Sequence, residues 1–223
     1  MTETNSEKQK KPNPFEPKGF AGTVYVLLHD VICLLALITF FFIFFARLVG
    51  VSGSSMYPTL VGGEHTTGST GDYLVLESNF IHPSYSYGDI VVACLPTFEN
   101  GKPIVKRVIG TEGQTVSFQA DETGAIRVYV DGVMLDEPYI NQLNGPMRES
   151  PIGLNGYTVH IPAGKYFLMG DNRNNSRDSR SPEIGLVDER YIVGKARWIV
   201  FPGSDREAGN RRDWSRIGSV YGN

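Results

Sequence analysis

The stretch VYVLLHDVICLLALITFFFIFFA, residues 24–46, constrains this chain more than any other. A spanning helix needs about 20 mostly apolar residues. This run supplies them, interrupted only by His29 and Asp30. It is apolar on every face, unlike the striped helix of a soluble core. It is long for the apolar region of a secretory signal, and no small-x-small cleavage pattern follows FFIFFARLVG. An uncleaved transmembrane helix is therefore expected over 23–47. Lys8, Lys10, Lys11 and Lys18 precede it, while Arg47 alone follows it closely. The positive-inside rule then places residues 1–22, a polar and Pro-rich tail expected to be disordered, in the cytoplasm and the rest outside. His29 and Asp30 fall near the cytoplasmic end, at the depth of the headgroups.

Beyond residue 50 no amphipathic helix is evident. Short apolar or alternating runs recur instead: YLVLE (73–77), DIVVACL (89–95), IVKRVIG (104–110), QTVSF (114–118), AIRVYV (125–130), YTVHI (157–161), KYFLMG (165–170) and YIVGKARWIVF (191–201). Turn residues punctuate them, as between strands. VYVDGVML reads as a hairpin turning at Asp131-Gly132. The expected fold class is mainly β: a single N-terminal transmembrane helix, then an antiparallel β ectodomain in a barrel or sandwich. Residues 203–223 read as a loose C-terminal tail. A net charge of −3 gives no basic footprint for nucleic acid. Cys33 lies inside the apolar run and Cys94 outside it, so no disulfide is expected. His29, His65, His82 and His160 are scattered without ligand spacing, so no metal is expected, and no nucleotide-binding motif is present.

Three segments carry candidate chemistry. In PIVKRVIG a period of two puts Lys106 on the face of Ile104 and Val108, and Arg107 on the opposite face, toward water. Burial of an ammonium depresses its pKa and makes it a general base. The alternative is a lysine whose stem packs while its head reaches solvent. In VSGSSMYPTL, 51–60, a Pro-braced turn can present a hydroxyl. A serine needs an adjacent base to act as a nucleophile, and with no histidine motif nearby the candidate is lysine. The alternative is a linker leaving the membrane. GDNRNNSRDSR, 170–180, is dense in Asp, Asn, Arg and Ser. A calcium loop is weakened by Arg173, Arg177 and Arg180. A loop that satisfies itself, with Asp178 paired to Arg180, reads better.

Taken together and in order, GSSMYPTL, GDYLVLE, YGDIVV, VKRVIG, MGDNRNNSRDSR and IGLVDERYIVGKARWIVFP resemble the boxes of the type I signal peptidases. These are membrane-bound Ser-Lys serine proteases that remove signal peptides from exported proteins. The resemblance covers most of residues 24–202 and is to the Gram-positive-like branch. It implies Ser55, directly before Met56, as the nucleophile rather than Ser54, and Lys106 as the general base. It implies that Ser176 hydrogen-bonds and orients Lys106, and that Asp178 and Arg180 pair to hold the site's frame. Gly53 stands where some members carry a serine whose hydroxyl joins the oxyanion hole. One donor is then the Ser55 N–H, and the second is a group of Gly53 or Ser54, or water. Val51, Met56, Leu60, Ile104 and Val105 match pocket positions for small side chains, usually Ala, at substrate positions −1 and −3. The resemblance further implies a catalytic core over 48–110 and 161–202, an inserted β subdomain over 111–160, and no cofactor.

The partners implied are preprotein signal peptides, the lipid bilayer and the protein export machinery. The implied location is the cell membrane, with the catalytic domain on its extracytoplasmic side. Ser55 follows the apolar run so closely that its tether spans at most ~30 Å at about 3.3 Å per residue. Such a tether keeps the nucleophile where a signal peptide emerges. Two rivals remain. The self-cleaving repressors share the Ser-Lys logic and core fold, but they are soluble and carry DNA-binding domains, which the apolar run argues against. A membrane-anchored binding module with a dead site would not need both Ser55 and Lys106.

Overall fold

The computed structural model describes residues 19–64, 68–79, 84–140, 145–148, 153–205, 209 and 211–221. The tail through Lys18, His65 and His82 lie outside the described residues. Helix α1 runs from Gly19 to Phe44, so it begins inside the stretch read as tail and stops short of Arg47. Gly19–Phe42 is long and apolar enough to cross a membrane. Its large side chains, Phe20, Leu27, Ile32 and Phe40 among them, are exposed, which suits lipid rather than water.

Phe44 onward forms a second compact unit, built almost wholly of strands. In chain order they are β1 (Ala46–Gly50), β2 (Tyr73–Ser78), β3 (Ile90–Cys94), β4 (Pro103–Gly110), β5 (Thr115–Ala120), β6 (Ile126–Val130) and β7 (Val133–Met134). Then come β8 (Thr158–His160), β9 (Lys165–Met169), β10 (Val187–Asp188), β11 (Ile192–Phe201), β12 (Ser204–Asp205), β13 (Arg211–Arg212) and β14 (Gly218–Ser219). All eight runs read from the sequence form strands, within two residues at either end. Strand β1 was not foreseen. Ala46 and Arg47, read as the end of the helix, instead start a five-residue antiparallel ladder with β2.

The main sheet has the order β1-β2-β11-β3-β4-β9-β10, with β14 on β11. The inserted sheet has the order β7-β6-β5-β8. Its hairpin turns at Asp131 and Gly132, both with positive φ, the conformation that a two-residue turn of this hand requires. Strand β3 is buried along Ile90–Ala93 on both faces. Ile90 and Val92 join Leu74, Leu76, Val105 and Met56 in one core. Val91 and Ala93 join Val108, Tyr166 and Leu168 in another. A third core joins Phe118 and Val128 of the insertion to Ile109 and Phe167.

Two expectations change as a result. Arg107 does not face water; it is 5% exposed, because the sheet is covered on both sides and a period of two cannot reveal that. Nor are residues 211–221 a loose tail. Strand β14 pairs with β11, Val220 enters the first core, and the Tyr221 hydroxyl donates to Ala196 O while accepting from Ile90 N.

Candidate active site

The turn carrying Ser55 leaves β1 and is pinned at its start by backbone. Val51 N donates to Asp72 O, and Gly53 N to Gly63 O at 3.1 Å. A Cβ on Gly62 would lie 1.6 Å from Gly53 O, so these two segments approach as closely as they do only because Gly62 has no side chain. Past Ser55, Met56 and Leu60 are almost fully buried and anchor the turn in the core. Ser55 itself is half-buried.

Strand β4 brings Lys106 to this turn. Its Nζ lies 2.8 Å from Ser55 Oγ and 2.9 Å from Val105 O. The side chain is 4% exposed. Among the described residues no carboxylate lies within ion-pair distance of it. Burial pushes its pKa down to about 8; Asp178 and Asp171 pull upward, while Arg180 and Arg177 push further down. The group thus titrates far nearer ordinary pH than a free lysine, and a minor fraction is neutral there.

The 170–180 loop clamps the serine turn from the other side. Asn172 N donates to Ser55 O, and Asn172 Nδ2 to Ser54 O, both at 3.0 Å. Asn175 Nδ2 donates to Ser54 Oγ at 2.8 Å. Thr59 Oγ1 donates to Asp171 Oδ2 at 2.6 Å. A Cβ on Gly170 would lie 2.4 Å from Ser55 O and 2.3 Å from Ser176 Oγ, so the loop reaches Ser55 only with glycine there.

Asp178 and Arg180 form a bidentate pair with both bonds at 2.8 Å, and Asp178 Oδ2 also accepts from Gly170 N. Burial alone would raise the Asp178 carboxyl, but Arg180 and the Gly170 N–H hold it below its ordinary value, and Ser176 adds the smallest such effect. The Ser176 Oγ is buried and completes no hydrogen bond of regular geometry. Lys106 is therefore not bonded to Ser176 in this structure. No acceptor among the described residues takes the N–H of Ser55, which leaves it free for an oxyanion. The Gly53 N–H is already spent on Gly63, whereas the Ser54 hydroxyl only accepts and still has a proton to donate.

Beside the dyad lies a cleft of about 650 Å³, lined by Val51, Met56, Ile104 and Val105 together with Ser54 and Asn175. Leu60 does not line it and belongs to the core below. On one edge β4 pairs with β3 over Pro103–Arg107; on the other, β9 pairs only from Arg107 onward. Pro103–Lys106 therefore present an unpaired strand edge to the cleft. Among the described residues no group of three His, Cys, Asp or Glu is placed to hold a metal ion.

The sequence reading missed the second layer of the site. Arg107 donates through Nε and Nη2 to Asp171, at 2.8 and 2.6 Å, and through Nη1 to Gly88 O. Its guanidinium lies 3.9 Å from the Tyr139 ring centroid. Arg173 binds both oxygens of Glu137 and also Gly170 O. Glu137 and Tyr139, which follow β7, thus reach the 170–180 loop and Arg107. One signal was available: an arginine next to a buried lysine, if buried too, needs a carboxylate, and Asp171 stands in the third segment.

A family model described as signal peptidase, peptidase S26, matches residues 24–201. Signal peptidase I T of Bacillus subtilis (strain 168) is 36% identical over 219 residues, covering 91% of this chain and 96% of that one. A signal peptidase I of Bacillus amyloliquefaciens is 37% identical over 208 residues, covering 90% and 97%. A crystal structure of a signal peptidase I from Enterococcus faecalis V583 is 29% identical, with a TM-score of 0.40, covering 50% of this chain and 96% of that one.

Proposed function

We propose, from the premise that this chain belongs to the signal peptidase family, peptidase S26, that it is a membrane-anchored serine endopeptidase that cuts signal peptides from preproteins with a Ser55-Lys106 dyad. The observation that carries this reading is the 2.8 Å contact between Lys106 Nζ and Ser55 Oγ in a buried setting. As an ammonium, Lys106 donates to the hydroxyl. Once neutral, its lone pair accepts the Ser55 proton across the same distance. Ser55 Oγ then attacks the scissile carbonyl, and the Ser55 N–H, with the Ser54 hydroxyl as candidate second donor, stabilises the oxyanion. Lys106 passes its proton to the leaving amine and next activates water, which releases the acyl group and regenerates the serine.

The substrate enters extended, pairing with the open edge of Pro103–Lys106. Val51, Met56, Ile104 and Val105 then limit the space for side chains at −1 and −3. The catalytic unit faces the extracytoplasmic side of the cell membrane, in reach of signal peptides delivered by the export machinery; the lysine-rich tail before the helix supports this orientation.

The test is cleavage of a preprotein with Ala at −1 and −3 by the full chain in detergent. Ser55→Ala and Lys106→Met should each abolish cleavage, and Ser54→Ala should slow it. Full activity in Ser55→Ala would refute the assignment.

A further inference from the structure

We infer that Arg216, near the C-terminus, is a positioning residue for the nucleophile's turn; the inference rests on the functional reading above. Residues 211–221 fold back so that Arg216 meets the turn at Thr59. Its Nη1 donates to Asp72 Oδ1 at 2.9 Å and its Nη2 to Asp72 Oδ2 at 2.8 Å. The same Nη2 donates to Thr59 O at 3.0 Å. Asp72 is fully buried and also accepts from Val61 N and Gly203 N. Among the described residues Arg216 is the only cation in ion-pair distance of it.

Thr59 is thus held twice, its hydroxyl by Asp171 and its carbonyl by Arg216. It lies four residues after Ser55 in one continuous turn. Met56 and Leu60 fill the core on either side of Thr59, but apolar contacts are non-directional and fix depth better than orientation. Behind Thr59 the packing is open: Thr59, Arg107 and Arg216 border a second cavity of about 530 Å³. Asn172 and Asn175 hold the turn at Ser54 and Ser55, but at its far end the orientation depends on the two hydrogen-bonded clamps on Thr59, and one of them comes from the end of the chain. The guanidinium is suited to this because its planar fork serves the carboxylate and a carbonyl at once. An ammonium is a compact point charge that matches the carboxylate but not both partners.

The experiment uses the full chain in detergent and compares Arg216→Lys and Arg216→Ala with wild type. It measures kcat and KM on a preprotein-derived peptide, the rate at which an acylating probe labels Ser55, and Tm. Arg216→Lys keeps a countercharge for Asp72, so its Tm should stay near that of wild type. Its kcat and labelling rate should fall together, by up to roughly a hundredfold, the scale of a misplacement of about 1 Å, with KM nearly unchanged. Arg216→Ala should show the same kinetic loss or more and also a lower Tm. Wild-type kcat and labelling in Arg216→Lys, assayed well below Tm, would show that the residue only neutralises Asp72 and would overturn the proposal. If wild type itself neither cleaves nor labels at Ser55, the functional reading falls and this inference with it.

Discussion

Lys106 and Arg107 are consecutive, both cationic in kind and both buried, at 4% and 5% exposure, yet the two faces of β4 treat them in opposite ways. Arg107 receives a bidentate carboxylate, a carbonyl and an aromatic face. Burial alone would lower its pKa, but Asp171 more than offsets that and holds it above its ordinary value. Lys106 receives a hydroxyl and one carbonyl, and burial prevails. The difference lies in what is withheld. One face is completed for structure, the other is left short of a countercharge, and the shortfall is what lets burial lower the lysine's pKa. The two faces also cooperate, since the carboxylate that satisfies Arg107 holds Thr59 and so the turn bearing Ser55.

The largest effect should come from making the faces alike. Lys106→Arg keeps a cation at the site but removes a group that can lose its proton. Its kcat should fall by roughly 10⁴-fold or more, the scale seen when one member of a catalytic unit is lost. Retained cleavage would break the contrast outright. Next, Asp171→Ala leaves Arg107 buried and unpaired, which should cost about 3–5 kcal/mol in denaturant unfolding. A loss below about 1 kcal/mol would mean that Arg107 finds water or another partner.

Lys106→Met should act in the other direction on stability while removing activity. The folded pKa of about 8 lies below the ordinary 10.5, so a proton favours the unfolded chain. The penalty is fully present below pH 8 and fades as pH rises toward 10.5. The variant should therefore be more stable near pH 7 by on the order of 3 kcal/mol, at about 1.4 kcal/mol per pKa unit, and the gain should vanish above pH 10.5. An equal gain at all pH values would point to packing instead. The smallest effect sharpens the assignment: kcat/KM should rise about tenfold per pH unit below a limb near pH 8 and level off above it. A limb above pH 10 would show that burial does not tune the lysine.

Much of this was legible in the residues. The apolar run needs lipid, or burial on all sides, whatever follows it, and α1 forms there. The strand runs alternate or stay apolar at lengths suited only to β structure, and each forms a strand. Residue type alone leaves Ser55, Lys106 and the 170–180 loop open to structural readings; it is the resemblance of their boxes, in order, to those of the type I signal peptidases that singles them out. Tertiary structure decided the rest, because periodicity reports which residues share a face and not what covers that face. It could not show that Arg107 is buried, that Asp171 rather than Asp178 is its partner, or that Ser176 does not bond to Lys106. Nor could it show that a polar C-terminal stretch is a clamp. Arg216 and Asp72 are 144 residues apart, and a charge pair at that separation leaves no local pattern; it exists only once the sheet has brought the two ends together.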